Sequence, residues 1–278
     1  MVGELHGLQE NEAFQLQYLG KLKSSTGLRD VAIEEDSVYE EQAQAFVEGR
    51  VEILPDALCL RAGILKGIRN MNESNPKDLI RIHLIDVDSP ASAIREHLLL
   101  VKKRIDKAAA IDIPEVSKIK HRGLAVVERL KRLSMSKSDQ MELRTIEHSI
   151  RAYREGLEVD IGRPKGSPYL EDREQAIASN IEDLVRGSKP ILVVYGSDHV
   201  SRQQRKDGGP KRDKPLWPVA HRLEQAGIKI YVLITFPLSG QSFWRGDKSE
   251  LPWSAHDGWL ASGETLDKVL ATVPEAQY

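Results

Sequence analysis

Unbroken apolar runs alternate with helical periodicity along most of this chain. In "PILVVYGSDH" (190–199), residues 191–195 are all apolar or β-forming, and Gly196 stops the run. "IKIYVLITF" (228–236) is its equal. "DVAIEED" (30–36) and "LIRIHLIDVDS" (79–89) are further strand-like runs that end in acids. Continuous apolar runs, unlike alternating ones, suit strands covered on both faces. In "EQAIASNIEDLVRG" (174–187), Ile177, Ile181, Leu184 and Val185 follow helical spacing and Gly187 supplies a stop. "LWPVAHRLEQAG" (216–227) ends the same way at Gly227, and a helix-like stretch carrying Glu10 and Glu12 follows the first few residues. Strand alternating with helix predicts an α/β protein with a central, mostly parallel β-sheet flanked by helices.

The middle of the chain breaks this rhythm. From about 90 to 155 it is rich in Lys, Arg, Glu, Leu and Ala, with long helical periodicity and no strand signal. This predicts an inserted helical hairpin within a single domain spanning 1–278. "SRQQRKDGGPKRDKPLW" (201–217) reads as a surface loop. It follows a strand end, where α/β proteins place ligands. Its Arg202, Arg205, Lys206, Lys211 and Arg212 are able to attract an anionic substrate, although a solvated loop is the preferred reading. Phe243, Trp244, Trp253 and Trp259 cluster further on, to cover a cleft rim or cap the core.

Composition narrows the classes. A chain of 278 residues with 40% hydrophobic and 29% charged content is ordinary for a soluble globular protein. A net charge of −2 leaves no overall footprint for nucleic acid or an acidic membrane surface. No apolar run reaches the roughly 18 residues of a membrane span, and the start lacks a signal peptide's basic and apolar regions. The single cysteine, Cys59, excludes an internal disulfide and the multi-cysteine zinc patterns. A reducing, cytoplasmic location is expected. Cys59 itself reads as a small core residue with no base near it. Nucleophile-elbow serine, Walker and G-x-G-x-x-G signatures are all missing.

Two histidines stand in similar settings. His6 in "GELH" and His199 in "GSDH" each lie three residues after a glycine. At the carboxyl edge of a sheet such an imidazole serves as general base or metal ligand. Glu34 closes "VAIE" in the same manner. Its plainer reading is an acid starting a helix, with Glu35 and Asp36 as equal company. Arg173 and Asn180 are seven residues apart, on a helix face shared with Ile177 and Leu184. A charge on a mostly apolar face needs a partner; a surface-edge arginine is the plainer reading. His221, His97, His121 and His148 are expected to face solvent, and His83 to be a buried, hydrogen-bonded strand residue.

In order and spacing, several segments resemble the erythromycin esterase-like and ChaN-like branch of the Tiki/TraB superfamily. They are "GELHGLQE" (3–10), "VAIEEDSVYEEQAQAFVEG" (31–49), "ILKGIRNMNESNPKDLIRIHLIDVDS" (64–89), "REQAIASNIEDLV" (173–185), "ILVVYGSDHV" (191–200) and "LWPVAHRLEQAGIKIYVLITFPLSG" (216–240). The resemblance implies that Glu4, His6, Glu34, Arg173 and His199 gather in one cleft. His6 would activate water, with Glu34 or Glu4 orienting it or sharing the proton. Arg173 and His199 would position the substrate carbonyl or stabilise the developing oxyanion, with Asn180, Tyr195 and Asp198 assigned to substrate binding. The implied activity is hydrolysis of an ester, lactone or amide-like bond of a small molecule, without a required cofactor, nucleic-acid partner or membrane. Two alternatives follow from the same resemblance. One is a metal-dependent hydrolase holding a divalent ion through His6, Glu34 and His199. The other is a non-catalytic haem- or ligand-binding protein, in which Tyr195 and the histidines would ligate iron. The chain departs from the esterase pattern in having one residue between Glu4 and His6 where two are usual, as ChaN-like members do. The strand delivering this first motif is expected to be missing or very short.

Overall fold

The computed structural model describes residues 1–4, 9–87, 91–105, 108–154, 168–186, 190–200, 217–234, 241–244 and 247–250. Strands β1 (Val2–Glu4), β2 (Asp30–Asp36), β3 (Arg81–Asp86), β4 (Ile191–Gly196) and β5 (Leu233–Ile234) form one sheet in the order β3-β2-β4-β1-β5. Every pairing in it is parallel. The helices are α1 (Gln9–Thr26), α2 (Glu40–Val47), α3 (Ala62–Ser74), α4 (Ala91–Arg104), α5 (Val116–Lys131), α6 (Lys137–Arg154), α7 (Pro168–Val185), α8 (Ser197–Val200) and α9 (Val219–Gln225). A separate antiparallel pair joins β6 (Gln241–Trp244) to β7 (Asp247–Glu250).

The continuous apolar strands are two-faced. Val31, Ile33, Leu192 and Val194 pack with residues of α1, α2 and α3, whereas Ala32, Val193 and Tyr195 pack with α7 and α9. Successive side chains on a strand point to opposite faces, so both layers need apolar partners. The first strand is present and short. Its three residues lie between β4 and β5, with Gly3 opposite Tyr195 and Glu4 opposite Gly196. Of the run 228–236, Leu233 and Ile234 are the described residues that pair with β1; residues 235–240 lie outside the described residues.

Between β3 and α7 the chain builds its own apolar core from α4, α5 and α6. The hairpin is α5–α6, and α4 packs against both. Strand β3 is an edge, yet its outward N–H groups are covered. Ile82 N donates to Gln44 Oε1 at 2.7 Å and Leu84 N to Glu40 Oε2 at 2.8 Å, both on α2. This blunts an edge that would otherwise template further pairing.

Three expectations change. Cys59 is exposed in a 3₁₀ turn, which directs its neighbour Leu58 inward instead. His97 and His148 are buried while His121 is exposed. His97 shares a helix face with Ile94, Leu98 and Val101, and that face packs into the insert's core. Gly227 ends α9 with a left-handed φ of 79°, as expected; Gly187 lies outside the described residues. No described helix is long and apolar enough to cross a membrane.

Candidate functional site

The carboxyl end of β2 is bulged. Ile33 pairs with Leu84 and Asp36 with Asp86, so residues 34 and 35 stand opposite Ile85 alone. A bulge re-aims side chains at a strand end. Here it turns three consecutive acids toward three different partners. Glu34 meets Arg173 of α7, Glu35 meets Arg61 before α3, and Asp36 meets His97 of α4. Glu34 and Glu35 are therefore strand residues with buried partners, whereas Asp36, the last residue of the strand, also caps the 3₁₀ turn that follows.

Arg173 is the hub. Its Nε donates to Asp86 Oδ1 at 3.0 Å and its Nη2 to Asp86 Oδ2 at 2.7 Å, a two-pronged grip. Nη2 also donates to Glu34 Oε1 at 3.0 Å, and Nη1 lies 3.5 Å from His199 Nε2. Only 8% of Arg173 is exposed. Burial opposes its charge, but the carboxylates of Asp86 and Glu34 outweigh it and hold the guanidinium ionised. Burial likewise opposes the Asp86 charge, and Arg173 draws that carboxyl below its usual range. The other oxygen of Glu34, Oε2, accepts from Gly196 N at 2.6 Å. Glu34 thus ties β2 to the end of β4 and to α7.

His199 stands on α8, directly after β4. Its Nδ1 is hydrogen-bonded to Glu174 Oε1. Glu174 Oε2 in turn accepts from Val219 N at 2.8 Å. A carboxylate on Nδ1 selects the tautomer that leaves Nε2 free as acceptor. That Nε2 faces Arg173 and lies 3.7 Å from Glu34 Oε1. Tyr195 packs edge-on against the imidazole, ring centroids 4.5 Å apart. Its hydroxyl is buried without a hydrogen-bond partner among the described residues, and burial pushes its pKa well up.

Of the residues expected from sequence, Glu34, Arg173, Tyr195 and His199 are brought together. Glu4 ends β1 beside Gly196, but its side chain is outside the described residues, as are His6, the side chain of Asp198, the loop residues 201–216 and the aromatic side chains of 242–259. Asn180 does not join the group. Its Nδ2 donates to Ile85 O at 3.3 Å and its Oδ1 accepts from Arg144 at 2.9 Å, bracing α7 against β3 and α6. Sequence reasoning missed Asp86 and Glu174. Glu174 directly follows Arg173 and precedes Ile177 by one helical turn, which was a usable signal. His83 is half-buried and bonds Asp30 at 2.9 Å, close to the expectation.

The metal and haem alternatives both call on His6, which lies outside the described residues. No three His, Cys, Asp or Glu side chains gather as a metal set among the described residues. The position between Glu34, Asp86 and His199 holds the Arg173 guanidinium. Tyr195 is fully buried, with no open face toward a large cofactor.

Glu35 carries a pH signature of its own. Burial pushes its pKa up to about 7, against Arg61, whose Nε lies 3.1 Å from Oε1. A carboxyl raised on folding binds its proton more tightly in the native state. Its contribution is therefore full below the unfolded value and is lost as pH climbs to about 7. Glu35→Gln is expected to remove this slope, on the order of 3 kcal/mol at most. Urea midpoints from pH 5 to 8 measure it; parallel curves for the two proteins would contradict the assignment.

Parallel strands in the order β3-β2-β4-β1-β5, with polar groups collected at their carboxyl ends, define an α/β protein with a charged cluster on the sheet edge where such folds hold ligands. No family model and no curated protein matches the sequence. Solved structures do match the fold. A mutant erythromycin esterase, EreC, in its open conformation aligns with TM-score 0.59 at 13% identity, over 84% of this chain and 69% of that one. A Bacillus cereus protein aligns with TM-score 0.65 at 16% identity, over 99% and 74%. A succinoglycan biosynthesis protein aligns with TM-score 0.56 at 13% identity, over 81% and 62%. The chain has an erythromycin esterase-like fold.

Proposed function

We propose that this chain is a hydrolase in which a histidine-activated water attacks an ester, lactone or amide-like bond of a small molecule. One observation carries the reading: Glu34, Arg173 and His199 converge at the strand ends, with Glu174 behind the imidazole. His6 takes the proton from water, and Glu34 or Glu4 orients it. The resulting hydroxide adds to the carbonyl carbon. The oxyanion then forms near Arg173 Nη1, the guanidinium nitrogen not used by Asp86 or Glu34. As the tetrahedral species collapses, the departing alkoxide or amine takes back the proton.

A second reading has support in the Glu174–His199 pair. A carboxylate on Nδ1 is how a histidine base is held in its working tautomer. In that case His199 is the base and His6 the electrophilic partner. Both readings place a fixed positive charge, Arg173, where a metal would otherwise be needed, so no cofactor is required.

The test is hydrolysis of a panel of alkyl and aryl esters, lactones and amides by the purified chain, with elemental analysis and a chelator arm. Turnover of at least one substrate, unchanged by chelation, is expected. Turnover that vanishes on chelation and returns with stoichiometric metal would replace both readings by the metal-dependent one. A blank panel would remove hydrolysis altogether.

A further inference from the structure

The third acid of the bulge points away from the cleft, and its partner belongs to neither reading. His97 is fully buried on α4. Its Nε2 lies 3.0 Å from Asp36 Oδ1 and its Nδ1 lies 2.9 Å from Glu142 Oε1 on α6. Both ring nitrogens thus face carboxylate oxygens. A neutral imidazole has only one N–H and would set its lone pair against the other carboxylate. The geometry calls for an imidazolium.

We infer that His97 is a positioning residue for Glu34: shared as a cation by Asp36 and Glu142, it fastens the bulged end of β2 to the helical layer. The inference rests on Glu34 working in the cleft. The charges around the bulge support it. Asp36 is paired in register with Asp86, so four carboxylates, of residues 34, 35, 36 and 86, crowd two strand ends. Arg173 answers two of them and Arg61 one. His97 is the counter-charge for the fourth, because Glu142 already has Arg104 on its second oxygen. Arg104 in turn reaches Asp139 at 2.7 Å.

Among the described residues Asp36 leans on His97 alone for charge. Its Oδ1 also accepts from Val38 N at 3.0 Å, capping the 3₁₀ turn that follows β2, while its Oδ2 is buried without a partner among the described residues. From that turn Tyr39 also feels the Asp36 carboxylate. From the start of α5, Glu115 reaches the half-buried Arg95 of α4, and the packed face of α5 is apolar. Burial works against the His97 charge, and the two carboxylates outweigh it, so its pKa lies above the usual histidine value. The fastening is therefore complete below the usual histidine value, while the carboxylates are ionised, and loosens as pH rises through the raised folded value.

The test uses the full chain. Selective ¹⁵N labelling of histidine rings, assigned through His97→Gln, should show both nitrogens of His97 protonated at pH 7. Hydrogen exchange at residues 34–38 should quicken at least about tenfold in His97→Gln, while exchange in α1 and α3 stays put. Adding Asp36→Asn, which removes the stranded charge, should bring it back toward wild type. With a substrate in hand, kcat of His97→Gln should fall with KM held, and the wild-type alkaline decline should disappear. A neutral His97 ring at pH 7, or unchanged exchange at 34–38, would overturn the inference. The first two readouts need no substrate, so they decide the role of His97 even where the hydrolysis panel is blank.

Discussion

Replacing Arg173 with leucine is expected to lower the stability of the fold by about 3–5 kcal/mol at neutral pH. The guanidinium is held in a buried position by two carboxylates from two different strands. Removing it does not simply delete attractive contacts. It leaves Asp86 buried without its two-pronged partner and takes from Glu34 the bond at 3.0 Å. An ion whose partner has been removed costs far more than the intact pair contributes. The pH dependence separates this cause from a packing defect. In the wild type, Asp86 lies below its usual range, so its contribution is present at neutral pH and fades only as pH falls through that lowered value. In the variant both carboxyls shift upward and take up protons earlier. The deficit should then be largest at pH 7 and shrink toward pH 5. Arg173→Lys should fall between, because an ammonium cannot reproduce the forked grip on Asp86. Urea midpoints at the two pH values measure all of this. A leucine variant as stable as wild type at pH 7 would mean that the cluster is not a buried ion network.

That network also marks how far the sequence could be read. The apolar runs located β2, β3 and β4 well, because strands covered on both faces must be continuously apolar. Arg173 on an apolar helix face announced that it needed a partner. Its identity was not legible. Asp86 lies on a strand 87 residues away, and only the tertiary fold brings it near. The three acids of "EED" looked equivalent because spacing says nothing of a bulge. Two-versus-one pairing against Ile85 gives each a different partner. His97 looked like a surface residue of a charged helix, yet it keeps the 3,4 spacing of Ile94, Leu98 and Val101. The same periodicity that located the helix placed it inside. The shortness of β1 was legible, but its position between β4 and β5 was not, since parallel sheets do not order their strands by sequence.

The largest effect on activity is expected at the two histidines, and the same measurement decides between them. His6→Ala should reduce kcat by about 10²–10⁴, the worth of a positioned general base, with little change in the melting transition. His199→Ala should cost a similar factor of about 10²–10⁴ if it is the base and less if it only helps Arg173 hold the carbonyl, and it should also lower the melting temperature. Glu174 is buried and would lose the imidazole that it holds. Fold losses alone overlap, so the acid limb of kcat/KM against pH carries the decision. That limb reports protonation of the base in the free enzyme. It should vanish in the variant lacking the base and survive in the other. A limb that survives in both histidine variants would assign the base to a carboxylate instead, and Glu35, the acid pushed up to about 7, would be the group to replace next.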